Sequence, residues 1–316
     1  MRAQASRLDV GRGFREKAGS MFGLWKRYLP RALKQRAMVY WYDTVARMNT
    51  GDDLLFLNHG YSGPEPGSRI VDMPPDLEPH RYAIQLYDLL ARLRNWHDKD
   101  GLEISCGLGG GMMYVERSYR PRTMTGLDIS AASIAACRRR FGGSSLRFEI
   151  GDAQAMPFAD QSFDIVINVE SSLNYPNFSA FLREVDRVLK PGGSFLFADY
   201  RRSDKVAKLR RSLIEMAYDI EVIEDITPGI VRGLEFGFER KRNLIDRHVA
   251  LPLRGIVRGF AGLSDGRDEE REQFQTGVKS YLMAVLSKPK GAAPVGSALS
   301  LGARSPAEIQ VAAAPT

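Results

Sequence analysis

From Leu102 to Tyr200 short apolar runs alternate with stretches of helical spacing. LEISC is followed by a helix from about Gly110, and TGLDI by a helix over Ala131–Phe141. LRFEIGD, then FDIVINVES with a helix over Phe178–Leu189, and SFLFADY complete the series. Strand-like runs separated by helix-like runs predict a parallel sheet covered on both faces. Before it, HRYAIQLYDLLARLRN (80–95) has the apolar spacing of an amphipathic helix. Beyond it, 201–270 reads as mostly helical and polar, with IEVIED a further strand and SYLMAVLS a final one. Near the start, Phe22, Trp25, Tyr28, Leu29 and Leu33 recur at helical spacing among basic residues. A helix of that kind fits either an anionic membrane surface or packing on the body.

The expected organisation is a basic arm and helical cap over 1–78, a sheet core over 79–200, an acceptor-side helical region with the last strands over 201–288, and a disordered tail over 289–316. Composition narrows the class. The 316 residues are 44% hydrophobic and 26% charged, which excludes a disordered, collagenous or coiled-coil chain. The apolar runs are too short to span a bilayer. Two cysteines, Cys106 and Cys137, exclude a disulfide scaffold and point to a reducing cytoplasm. The net charge of +7 is uneven: residues 1–37 carry ten Lys/Arg against two acids, and the remainder is nearly neutral. Basicity therefore belongs to the arm, which argues against a nucleic-acid partner.

The chemistry gathers at strand ends. In Glu103-Ile104-Ser105-Cys106-Gly107-Leu108-Gly109-Gly110-Gly111 a strand runs into a glycine-rich turn that opens a helix. Such a turn admits a ligand close to the backbone, and the helix N-terminus favours an anionic group. Asp128, closing the second run, either accepts ribose hydroxyls or caps the helix from Ala131. Asp152 and Ala153 follow the third run in a turn that can meet an adenine edge. Val188-Leu189-Lys190-Pro191-Gly192-Gly193 stops a helix before the fifth run.

In this order and spacing the motifs resemble the class I S-adenosylmethionine-dependent methyltransferases. LFLNHGY (55–61), INVESSLNYPNF, LREVDRVLKPGG, FADYR and LIDRH are similar to the phthiotriol/phenolphthiotriol dimycocerosate methyltransferase group, which methylates a hydroxyl on a polyketide-derived lipid. The resemblance implies a Rossmann-like seven-stranded α/β sheet with helices on both faces and a reversed final strand. It implies S-adenosylmethionine as cofactor, with Glu103 toward the methionine amino group and Gly107, Gly109 and Gly110 against the cofactor. Asp128 would bind the ribose, and Asp152 and Ala153 the adenine. Ser105, Ile129 and Asn168 would complete the site, and Glu170 would sit at the acceptor's entrance. The expected acceptor is a bulky apolar natural product of polyketide or lipid type, with carbon or nitrogen as the alternative target. Peripheral membrane contact through the arm is compatible with it.

Methylating a hydroxyl calls for alignment and a base. Related small-molecule enzymes often carry a histidine just after the fourth strand, and here Glu170-Ser171-Ser172-Leu173-Asn174-Tyr175 holds none. The working pair is therefore His248 with Asp199 or Glu170. His59 is a third option. His80 and His97 are set aside, and no metal site is expected.

Overall fold

The computed structural model describes residues 31–48, 54–65, 73–142, 145–249, 254, 258, 263–264 and 267–291. The basic arm up to residue 30 and the tail from 292, and with them the expected membrane contact and tail disorder, lie outside the described residues. Helix α1 (Arg31–Met48) leads into an extended segment, and α2 (Arg81–Ala91) precedes the sheet. The core then runs β1 (Asp100–Ile104), α3 (Gly110–Tyr119), β2 (Thr123–Asp128), α4 (Ala131–Arg140) and β3 (Leu146–Ile150). It continues with β4 (Phe163–Val169), α5 (Phe178–Val188), β5 (Leu189–Arg202), α6 (Ser203–Ile214) and β6 (Asp219–Asp225). The long α7 (Thr227–His248), the short α8 (Glu269–Gln275) and β7 (Lys279–Ser287) close the chain.

The sheet order is β3-β2-β1-β4-β5-β7-β6, with β1 to β5 parallel and β7 antiparallel to both neighbours. The seven-stranded sheet and reversed last strand expected from the sequence are present. The described helix covers 31–48, and the part of the expected N-terminal helix that carries Phe22, Trp25, Tyr28 and Leu29 lies outside the described residues.

Alternation on the strands splits the core into two layers. Ile165 and Ile167 of β4 face Met112, Met124 and Leu90 on one side. Val166 faces Phe181, Phe195 and Phe197 on the other. Helix α5 shows why its sequence is helical. Phe181, Leu182, Val185 and Val188 recur on one face and are buried, and Asn177 caps the first turn by accepting from the Ala180 amide at 3.0 Å. Strand order reverses between β1 and β4, so a crevice opens at their carboxyl ends, where such sheets bind ligands.

Candidate functional site

A cavity occupies that crevice and encloses about 1060 Å³ of non-atom space, its open mouth included. The sheet contributes Ser105 and Gly107 after β1, Asp128 and Ile129 after β2, Asp152 and Ala153 after β3, and Glu170 after β4. The cap closes it with Val39 and Tyr42 of α1 and with the loop Leu55–Asn58. Leu55–Asn58 open the LFLNHGY segment that the sequence marked out, whereas Val39 and Tyr42 belong to no motif.

Sterics explain the glycines. Gly107 and Gly109 have φ of +54° and +79°, a region costly to side-chain-bearing residues. A Cβ on Gly110 would stand 2.5 Å from the Leu55 carbonyl oxygen, so cap and turn touch through their backbones. Ser105 and Glu170 hold positive φ without being glycines, at +60° and +50°. Backbone strain of this sort concentrates at working sites. These two sit at the carboxyl ends of the two central strands, whereas Asp98, Arg120, Gln161 and Ala217, which share the conformation, do not line the cavity.

The acids differ in their surroundings. Asp128 accepts from the Gly107 and Ser130 amides at 2.9 and 2.8 Å, and burial raises its pKa against those bonds. Its helix-capping alternative is filled by Ser130, whose side chain accepts from Ser133 N–H. Asp152 accepts from the Gln154 amide at 2.9 Å. Glu103 lies behind the turn, where Tyr87 donates to Oε1 at 2.7 Å. Burial pushes its pKa up to about 8. Glu103 Oε2, Asn168 Oδ1 and Asn58 Oδ1 are buried with no hydrogen-bond partner among the described residues. Asn168 uses its amide group instead, donating to Ile104 O, Ser171 Oγ and Tyr175 Oη. Glu103, Gly109 and Asn168 back the cavity and do not line it.

The candidates for proton chemistry are rearranged. Asp199 is fully buried away from the cavity. Its carboxylate accepts from Ser172 Oγ at 2.5 Å, the Leu173 amide at 3.1 Å and the Tyr200 amide at 2.8 Å, and pairs with Arg201 at 3.1 Å. It fastens the turn after β4 to β5. His248 ends α7, and its side chain lies outside the described residues. His80 is buried beside Arg240, and His97 is exposed beside Asp98.

His59 is bound to Glu170 and, like Tyr200, Phe274 and Tyr281, is not among the residues that line the cavity. Its backbone amide donates to Glu170 Oε1 and Oε2 at 2.9 and 3.1 Å, and its Nδ1 makes a short hydrogen bond to Glu170 Oε2. Tyr281 Oη donates to Glu170 Oε1 at 3.0 Å. On the far side His59 Nε2 stands 3.6 Å from Glu270 Oε2, and Glu270 is bound by Lys279. The rings of Tyr200 and Phe274 meet the imidazole edge-on, with centroids 5.0 and 5.7 Å away. Burial opposes charge on His59, but the two carboxylates prevail and raise its pKa to about 9. The sequence offered one sign of this arrangement, the LNHGY segment itself.

A methyltransferase-domain model matches residues 102–197, the stretch that builds the sheet side of the cavity. The chain is 37% identical over 265 residues to a fatty-acid O-methyltransferase of Mycolicibacterium smegmatis, covering 84% of this chain and 94% of that one. It is also 37% identical to the phthiotriol/phenolphthiotriol dimycocerosates methyltransferase of Mycobacterium tuberculosis, covering 80% and 93%. This chain belongs to the S-adenosylmethionine-dependent methyltransferases. Solved structures of the same fold include a [4+2]-cyclase, SpnF (TM-score 0.61, 20% identity, 80% of this chain and 96% of that one). Another is the geranyl diphosphate C-methyltransferase of Streptomyces coelicolor A3(2), determined with S-adenosyl-L-homocysteine (TM-score 0.56, 18% identity, 83% and 98%).

The methyltransferase's own cavity suits its cofactor. Glu103 Oε2, Asn168 Oδ1 and Asn58 Oδ1 are buried acceptors left without a partner among the described residues, the kind of group that a donor on a ligand would complete. The glycine turn leaves the backbone bare for a close ligand. Among the described residues no helix is long and apolar enough to cross a membrane.

Proposed function

We propose that this methyltransferase transfers a methyl group to an oxygen of a bulky, apolar, lipid-type acceptor. Both named relatives act on lipids according to their names, and they align over most of this chain. The observation that carries the reading is Glu170, which lines the cavity and is held by His59 and Tyr281, since a fixed polar group beside the apolar Leu55, Phe56 and Val169 can orient an oxygen at the end of an apolar molecule. The hydroxyl target expected from the sequence and a carboxyl target both present such an oxygen.

S-adenosylmethionine, when bound, supplies a methyl group on cationic sulfur, already activated for in-line displacement. The residues of this chain hold and shield. Glu103, Asn168 and Asn58 offer oxygens to the amino end, Asp128 to the ribose hydroxyls, and Asp152 with Ala153 to the adenine. Tyr42 and Leu57 of the cap exclude water from the cavity. Glu170 fixes the His59 ring at the inner edge. Alignment of this kind is worth about 7–11 kcal/mol over a dilute bimolecular encounter.

The test is methyl transfer from labelled cofactor to a panel of long-chain alcohols, phenols and fatty acids, with Asp128→Ala as the control for the cofactor site. Product carrying the label on oxygen supports the reading. Label found only on carbon or nitrogen acceptors overturns it.

A further inference from the structure

We infer, resting on the O-methylation reading above, that the hydroxyls of Ser105, Ser171 and Tyr175 form a donor cluster that hydrogen-bonds the acceptor's oxygen and leaves its second lone pair free for the methyl group. A count of protons carries this. Tyr175 Oη contacts Ser105 Oγ at 2.7 Å and Ser171 Oγ at 2.8 Å. Three hydroxyls bring three protons, and each of the two contacts uses one. Asn168 cannot take the third. Its Nδ2 lies 3.1 Å from the Ile104 carbonyl oxygen, which can only accept, so that end of the amide is the donor. Nδ2 brings further protons toward Ser171 Oγ at 2.6 Å and Tyr175 Oη at 3.1 Å. Among the described residues the three hydroxyls meet no carbonyl and no carboxylate. Whichever of them donates within the cluster, one hydroxyl proton is left over.

Ser105, Ser171 and Tyr175 all line the cavity, so a ligand oxygen can receive that proton. Their place says which oxygen. Ser171 follows Glu170, and Asn174 and Tyr175 end the same turn, all of them on the cavity wall. This is the side to which Glu170 brings the acceptor. The cofactor's own carboxylate has the N-terminus of α3, where Gly110 and Gly111 line the wall. The described residues of the wall include no lysine, arginine or histidine, and Glu170 only accepts. Tyr87, a further phenol there, gives its proton to Glu103. An oxygen rich in lone pairs therefore needs neutral donors, and the cluster holds one in reserve.

The cluster is also built to stay in place. It ties the carboxyl end of β1 to the turn after β4, and Ser105 keeps its strained φ of +60° within it. The Tyr175 ring packs edge-on against Phe181, with centroids 4.9 Å apart. Burial raises the Tyr175 phenol above its ordinary range, so it remains a donor at neutral pH. An alcohol, phenol or carboxyl oxygen can spend one lone pair on the cluster and attack with another. The cluster keeps its proton throughout.

The experiment measures kcat and KM of the intact enzyme with cetyl alcohol, 4-nonylphenol and palmitate, and follows hexadecanethiol as acceptor or competitor. Each variant is also titrated calorimetrically with S-adenosylhomocysteine. Thiol sulfur accepts hydrogen bonds weakly, so the oxygen acceptors alone should feel the cluster. Tyr175→Phe keeps the ring and releases both serines. It should raise KM for the oxygen acceptors about 10-fold with a smaller change in kcat, and weaken hexadecanethiol by less than about 2-fold. Ser105→Ala combined with Ser171→Ala should do the same, whereas Ser171→Thr keeps its hydroxyl and should stay near the wild type. Affinity for S-adenosylhomocysteine should remain within about 2-fold in all of them, which also shows that they fold. Equal losses with oxygen and sulfur ligands would make the cluster structural, and affinity for S-adenosylhomocysteine falling in step with turnover would make it a cofactor contact. Either result, or no change in KM, overturns the inference while O-methylation stands. If only carbon or nitrogen acceptors are labelled, both readings fall.

Discussion

The Glu170 carboxylate grips His59 twice, accepting from its backbone amide and from its ring Nδ1, across 111 positions of sequence. The grip ties the cap loop to the end of β4 and charges the imidazole. Because the folded pKa of His59 is about 9 against 6.5 for a free histidine, its contribution to stability is complete below pH 6.5. It is lost as pH rises through about 9. The contribution is at most about 3 kcal/mol. Urea unfolding of the wild type and His59→Gln checks it: the gap between them should be wide at pH 6 and nearly closed at pH 10. An equal gap at both would show that packing, and not charge, holds the loop.

Glu103 predicts a proton released on cofactor binding. Burial holds its pKa near 8, so in the free enzyme it is protonated at pH 7, whereas in the unfolded chain it ionises near 4.5. The folded state binds the extra proton, and stability from this group therefore falls as pH rises from 4.5 to 8. An ammonium placed at its unpartnered Oε2 lowers the pKa again. Calorimetric titration with S-adenosylhomocysteine in buffers of different ionisation enthalpy should report release of up to one proton near pH 7. Glu103→Gln should remove the buffer dependence; a wild type showing none would sink the idea.

What could be read from the chain was whatever repeats or sits locally. Apolar runs such as FDIVINV and helical faces such as Phe181–Val188 carry their own period, so the sheet and its helices were visible. The glycine turn was visible because a strand, a turn and a helix follow one another directly. His59 stood only as a third option, because its partners Glu170, Glu270 and Tyr281 come from three distant elements that meet only after the sheet closes. The partners of Asp199 were hidden for the same reason. An acid at a strand end looks available until Ser172 and Arg201 are found on it.

Gly110→Ala tests the contact between turn and cap. The added methyl would stand 2.5 Å from the Leu55 carbonyl oxygen and 3.0 Å from Phe56 Cδ2, and a backbone atom cannot swing aside as a side-chain end can. Overpacking of this sort costs about 1–3 kcal/mol. The expected result is a modest fall in melting temperature and a larger loss of S-adenosylhomocysteine affinity, because Leu55 and Gly110 both line the cavity. Unchanged affinity would mean that the cap moves without consequence for the cofactor.

Asp199 separates a structural acid from a catalytic one. It is fully buried, and its oxygens are occupied by Ser172, two backbone amides and Arg201. Burial raises its pKa, with the Arg201 charge opposing. Asp199→Ala strands the Arg201 guanidinium and leaves the turn after β4 unfastened. Removing one partner of a buried pair costs about 3–5 kcal/mol, so unfolding should shift to markedly lower denaturant. Asp199→Asn keeps an oxygen for Ser172 or the Leu173 amide and should lose less. A structural role for this carboxylate predicts that, in the fraction that remains folded, the pH dependence of kcat follows the wild type. A variant that folds as stably as the wild type but loses its turnover, with an altered pH profile, would return Asp199 to the reacting groups.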